Sequence, residues 1–111
     1  MTGSEYQLLA MRTNLKGRDI NTNLTNAALG LCGEAGEFAD LLKKALFQGH
    51  ALDCAHMRKE LGDILWYIAL GADALGVTVD DLIKENVEKL KARYPQGFTV
   101  QNSAIRKEGD I

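Results

Sequence analysis

The chain has 111 residues, of which 46% are hydrophobic and 25% are charged, and its formal net charge is −2. This length corresponds to one domain, and the small negative charge offers no electrostatic attraction for nucleic acid or an acidic membrane surface. No segment is apolar for long enough to cross a bilayer or to serve as a signal peptide, and the two cysteines form no CxxC pair. We therefore expect a single domain over residues 1–111, in the cytoplasm.

Apolar residues recur at helical spacing along most of the chain, and the only proline, Pro95, follows the last predicted helix. The first predicted helix turns Tyr6 and Leu9 inward, and a loop is predicted over residues 16–23, where capping residue types cluster. Gly49 and Gly76 are expected to terminate the second and third helices. Residues 99–111 have weak periodicity and are expected to form a loop-like tail. The predicted fold class is all-α, a four-helix bundle with helices over residues 4–15, 24–47, 52–75 and 79–93.

Two acidic pairs interrupt the apolar faces of the second and third helices. At about 100° per residue, Glu34 falls inside the apolar face of its helix and Glu37 lies at the edge. Glu60 and Asp63 border the apolar seam of the next helix in the same way. A solvated face is disfavoured because the acids lie beside apolar residues rather than opposite them. The patterns ExxE and ExxD thus direct four carboxylates toward one interior.

Four converging carboxylates repel one another unless cations lie between them. Lys44 and Arg58 are near in sequence but lie outside this face or at its margin, and two cations are too few for four acids. No histidine occupies the i+3 position of either pair, so the ligands are all oxygen, which favours Mg²⁺, with Mn²⁺ able to substitute. Carboxylate-bound Mg²⁺ retains water and binds substrate phosphates, which indicates phosphoryl chemistry with a metal-activated water.

The fourth helix carries a stripe of hydrogen-bond donors formed by Asn86, Lys89 and Arg93. Asn86 falls within the apolar face, and Lys89 and Arg93 flank it. Such a stripe suits a polyphosphate, although a structural asparagine beside a solvated basic edge remains an alternative. Glycines at 30, 33 and 36 indicate close approach along one side of the second helix, for which helix crossing is favoured over a ligand.

Three segments together resemble one family: GLCGEAGEFADLLKK, KELGDILWYIA and NVEKLKARYPQGF. The order of ExxE, a gap of 22 residues and ExxD, followed by NxxKLxxRYPxGF, resembles the MazG-like all-α nucleoside triphosphate pyrophosphohydrolases over residues 24–98. The resemblance implies that Mg²⁺ is bound by Glu34, Glu37, Glu60 and Asp63. It also implies hydrolysis of a nucleoside triphosphate to the monophosphate and diphosphate, a role in nucleotide-pool housekeeping.

The resemblance also suggests roles for individual residues. Glu37 is our choice as general base, although any of the four acids is a candidate. Lys89 and Arg93 are expected to neutralise charge on the leaving diphosphate, and Tyr67 and Asn86 to line the nucleotide pocket.

Two alternatives remain open: a phosphoribosyl-nucleotide pyrophosphohydrolase on the same scaffold, and a non-catalytic, metal-stabilised interaction module. Relatives with this pattern are dimers or tetramers. The segment ILWYIALGA (64–72) is apolar nearly all round its helix, so we expect a homo-oligomer with the third helix near the interface.

Overall fold

The computed structural model describes all residues from Met1 to Ile111 and is all-α, with no strands, as predicted. Five helices replace the four expected. They are α1 (Gly3–Met11), α2 (Ile20–Phe47), α3 (Cys54–Ala74), α4 (Val79–Arg93) and α5 (Val100–Ala104). No single helix is long and apolar enough to cross a membrane, and only α3 and α4 counted together reach the length and apolar content that a crossing needs.

Local capping explains where the helix boundaries differ from the sequence predictions. The Asp19 side chain accepts a hydrogen bond from the backbone N–H of Thr22, so α2 begins at Ile20 and takes in much of the predicted loop. Asp53 caps the start of α3 through His56 N–H in the same way. The predicted loop-like tail contains α5, which Thr99 caps by accepting from the N–H of Asn102.

The chain divides into two compact units, Met1–Val79 and Asp80–Ile111. In the first, α3 packs against both α1 and α2. The buried apolar side chains are few and mostly small: Ala10, Ala27, Ala69, Leu70, Ala72 and Val79. Small side chains allow the helix backbones to approach closely, so the helices of this unit can lie close together over a thin core.

The prediction for α1 was wrong for one of its two inward side chains: Tyr6 is half-buried, but Leu9 is not. Gln7 and Ala10 are buried, whereas Leu9 is 44% exposed. The Gln7 amide explains the difference: it donates to the carbonyl of Val77 and accepts from the N–H of Val79. A glutamine that satisfies two backbone groups of the α3–α4 connection can be buried at low cost. Cys32 and Cys54 are both free thiols, and the cytoplasmic location stays a prediction.

Candidate metal and active site

The site lies between α2 and α3, which run antiparallel. A Cβ atom added to Gly30 would collide with the ring of Tyr67, and one added to Gly71 would lie 3.6 Å from Ala27. Higher residue numbers in α2 therefore pair with lower residue numbers in α3, as they do in antiparallel helices. The same register brings Glu34 and Glu37 of α2 close to Glu60 of α3.

Three of the four predicted carboxylates form a tight cluster. One oxygen from each of Glu34, Glu37 and Glu60 lies within 4.8 Å of the other two. Glu60 is buried, with 6% of its surface exposed, Glu34 is half-buried, and Glu37 is exposed. Asp63 is exposed and does not belong to this cluster. Its negative charge nevertheless contributes to raising the pKa of Glu34.

Two oxygen atoms of the cluster lack partners. Oε2 of Glu34 and Oε2 of Glu60 are both buried, and when both side chains are ionised neither oxygen accepts a hydrogen bond from the protein. A buried carboxylate oxygen without a partner bears a desolvation penalty that native proteins rarely leave uncompensated. Both atoms belong to side chains of the three-acid cluster, which is the arrangement that a bound cation would satisfy.

Glu34 and Glu60 also shift each other's pKa. The hydrogen bond that Glu34 makes to Glu60 when protonated, together with burial and the charge of Glu37, raises the pKa of Glu34 to about 7. The same interaction with Glu34 holds the pKa of Glu60 below its usual range, against the effect of burial. Without a cation, the two acids therefore share one proton near neutral pH.

The residues present fit a divalent metal ion. The donor set is made of carboxylate oxygens, which hard cations such as Mg²⁺ and Mn²⁺ prefer. The two unpartnered Oε2 atoms supply the independent indication that positive charge belongs there.

His56 is a residue of this site that the sequence reasoning missed. Its Nε2 lies 2.9 Å from Oε1 of Glu60, one helical turn away on α3. The sequence analysis considered histidine only at i+3 of each acidic pair, whereas His56 precedes Glu60 by four residues. The i, i+4 spacing on a helix face is the signal that would have identified it.

A groove of about 390 Å³ lies between α2 and α3 at the cluster, and Glu37, His56 and Glu60 line part of it. Gly33 and Gly36 form part of its wall, and a Cβ atom added to either would meet nothing within 4 Å. Close helix crossing therefore explains Gly30 but not the other two glycines. Lys44 also lines the groove, where its ammonium pairs with Asp40 at 2.8 Å.

Tyr67 and Trp66 occupy different positions on α3. The ring of Tyr67 lies over Gly30 at the contact with α2, and its role in substrate binding stays a prediction. Trp66 packs edge-on against Tyr67, with ring centroids 5.0 Å apart. The indole N–H of Trp66 donates to the Thr13 hydroxyl at 2.7 Å and the Ala10 carbonyl at 3.2 Å. Trp66 therefore fastens α3 to the end of α1.

The donor stripe of α4 belongs to the second compact unit. Asn86 and Lys89 are exposed, so the expectation of a buried asparagine was wrong, because the surrounding apolar face of α4 is itself exposed. Arg93 is half-buried and pairs with Asp110 through Nε at 2.9 Å and through Nη2. This hydrogen-bonded pair keeps the pKa of Asp110 below its usual range. The predicted roles of these three residues toward substrate stay predictions.

Comparison with known proteins identifies the same region. Residues 22–98 match the family model described as the MazG nucleotide pyrophosphohydrolase domain. Among curated proteins, the chain is similar to the Gene 37 protein of Mycobacterium phage L5, with 36% identity over 78 residues, covering 67% of this chain and 68% of that protein. No solved structure matches the chain significantly.

Proposed function

The chain belongs to the MazG nucleotide pyrophosphohydrolase family, and from that premise we propose that it hydrolyses nucleoside triphosphates in a Mg²⁺-dependent reaction. The substrate is a ribo- or deoxyribonucleoside triphosphate, and the products are the monophosphate and diphosphate. The observation that carries this proposal is the pair of unpartnered buried oxygens, Oε2 of Glu34 and Oε2 of Glu60, inside a cluster of three carboxylates. A divalent cation that also binds phosphate would compensate both.

The carboxylates divide by their surroundings. Glu34 and Glu60 each carry a buried oxygen suited to ligating metal, whereas Glu37 is exposed at the mouth of the cluster. We propose Glu37 as the group that accepts a proton from water, and Asp63, three residues after Glu60 on α3, as a further ligand that would have to move toward the cluster when metal binds. When bound, Mg²⁺ would neutralise phosphate charge and lower the pKa of water.

The proposed chemistry transfers the α-phosphoryl group to water. The water oxygen forms a bond to the α-phosphorus while the bond from that phosphorus to the bridging α–β oxygen breaks, and diphosphate leaves. Glu37 takes the water proton. Tyr67 and Asn86 are the proposed contacts to the nucleoside, and Lys89 and Arg93 the proposed contacts to the diphosphate.

A screen of canonical and damaged nucleoside triphosphates for diphosphate release tests this function. We expect turnover with Mg²⁺ or Mn²⁺ and none with EDTA, and ¹⁸O from labelled water should enter the monophosphate. Full activity after rigorous metal removal would contradict the metal site. Formation of the nucleoside diphosphate and orthophosphate would show attack at the γ-phosphorus instead.

The apolar surface of α3 supports a homo-oligomer, either a dimer or a tetramer. Leu61 is 50% exposed and Leu65 is 40% exposed, one turn apart on the helix that carries Glu60 and Asp63. Large apolar side chains exposed next to each other on one helix are typical of a protein–protein interface. Sedimentation at micromolar concentration should show at least a dimer, whereas a fully active monomer would reject the interface.

A further inference from the structure

The two carboxylate oxygens of Glu60 lie in different environments. Oε1 is 2.9 Å from Nε2 of His56, whereas Oε2 is buried without any hydrogen-bond partner. Glu60 is also the most buried acid of the cluster, with 6% of its surface exposed. Among the residues that carry a fixed donor, His56 therefore holds Oε1 of Glu60, whereas Oε2 lies free for the proton of Glu34 or for a cation.

The direction of this hydrogen bond follows from its chemistry. An ionised carboxylate has only acceptor sites, so Nε2 of His56 must carry the proton and donate it to Oε1. This holds for the neutral Nε2–H tautomer and for the imidazolium alike. The contact therefore constrains Glu60 whichever of the two forms the ring adopts.

The position of His56 is itself fixed by the start of α3. Its backbone N–H donates to the capping side chain of Asp53 at 3.0 Å, which places the residue in the first helical turn. Glu60 follows four residues later on the same helix face. The group of side chains whose ligand atoms lie within 4.8 Å of one another contains Glu60 but not His56, whose Nε2 contacts Oε1 of Glu60.

We propose that His56 is a positioning residue, which donates to Oε1 of Glu60 and so presents Oε2 of Glu60 to the divalent metal ion. This inference rests on the proposed function, since it concerns the same metal site. A carboxylate that is free to rotate offers either oxygen, and its ordering has to occur when the metal binds. The hydrogen bond from His56 fixes the side chain beforehand, as partners of metal ligands commonly do.

The test measures metal binding directly, by calorimetric titration of the full chain with MnCl₂ after EDTA treatment. His56→Leu should weaken Mn²⁺ binding by about 10-fold to 100-fold. His56→Gln should stay within a few-fold of the unsubstituted protein, because its amide nitrogen can donate from a similar position. His50→Leu, in the α2–α3 connection, is the matched control and should bind normally. Circular dichroism establishes that each variant is folded.

Kinetics provide a second measurement that a merely structural role would not change. In His56→Leu, the Mg²⁺ concentration for half-maximal rate should rise about 10-fold or more, whereas KM for the nucleotide at saturating Mg²⁺ should stay the same. Equal loss of affinity in the Leu and Gln variants would overturn the inference, since it would indicate that the ring itself ligates the metal.

The two proposals fail in distinguishable ways. If the unsubstituted protein does not bind Mn²⁺, the proposed function itself is contradicted. If it binds Mn²⁺ and His56→Leu binds equally well, the metal site stands and the positioning role of His56 is rejected.

Discussion

The two compact units of this chain differ in how their charged side chains are compensated. In Met1–Val79, Glu34 and Glu60 face each other across two helices and leave two buried oxygens without partners. In Asp80–Ile111, Arg93 and Asp110 satisfy each other through two hydrogen bonds. A matched ion pair needs nothing further, whereas two facing acids need either a shared proton or an external cation between them. This difference supports the first unit as the location of the proposed metal site.

The largest effect is expected when one of the two facing acids in the first unit is replaced by its amide. In Glu60→Gln the side-chain amide can donate to Glu34, so the metal-free protein should unfold at a higher temperature at pH 8. The rate of diphosphate release should nevertheless fall by about 100-fold or more, because the substitution changes a proposed metal ligand itself and not only a residue that positions one. Differential scanning fluorimetry and a diphosphate assay measure both. Glu88→Gln on the exposed side of α4 is the control and should change neither the melting temperature nor the rate. Normal turnover in Glu60→Gln would show that the facing acids are not needed for the reaction.

The second prediction concerns pH. Because the pKa of Glu34 is raised to about 7, the neutral form is favoured in the fold. Its contribution to stability is complete below the usual glutamate pKa and is lost as pH rises through 7. If Mg²⁺ binds at the proposed site, it displaces the shared proton, and the stabilisation by Mg²⁺ should therefore grow from pH 6 to pH 8. Melting temperatures with and without Mg²⁺ measure this growth, and Glu34→Gln should flatten it. An Mg²⁺ effect that is equal at both pH values would show that no proton is displaced.

A third prediction tests whether rigid packing holds the like charges together. Gly30→Ala places a methyl group against the Tyr67 ring and should lower the free energy of unfolding by about 1–3 kcal/mol. Gly33→Ala, one turn along the same helix, faces open space and should raise it by up to about 1 kcal/mol. Urea unfolding of both variants provides the comparison. Equal effects would mean that the helices do not constrain each other at Gly30.

The smallest effect is expected from breaking the matched pair. Asp110→Asn removes the charge that holds Arg93 and should loosen residues 100–111 without changing the melting of the first unit. Since the pKa of Asp110 is lowered, its contribution is present above the ordinary aspartate value of about 4 and is lost as pH falls through the lowered value. Hydrogen exchange of the α5 amides follows this change. Unaltered protection in the variant would show that the pair does not order the tail.

Much of the site could be predicted because helix periodicity is a local property of the sequence. The wheel of α2 identified Glu34 as an acid on an apolar face, and the structure shows it half-buried beside Glu60. His56 was missed because only the i+3 positions were considered, although the i, i+4 spacing was present. Asn86 was expected to be buried because periodicity reports which residues share a face and not whether that face is covered.

The sequence alone determined the all-α class, the C-terminal ends of α2 and α4, and the two acidic pairs, because each depends on residues within a few turns of one another. Only the tertiary structure decided which atoms meet. It showed that Gln7 is buried by two backbone hydrogen bonds to the α3–α4 connection. It also showed that Glu34 and Glu60 each keep one unpartnered oxygen. Such contacts join residues 26 to 72 positions apart, and their geometry depends on helix register and packing, which local periodicity does not encode.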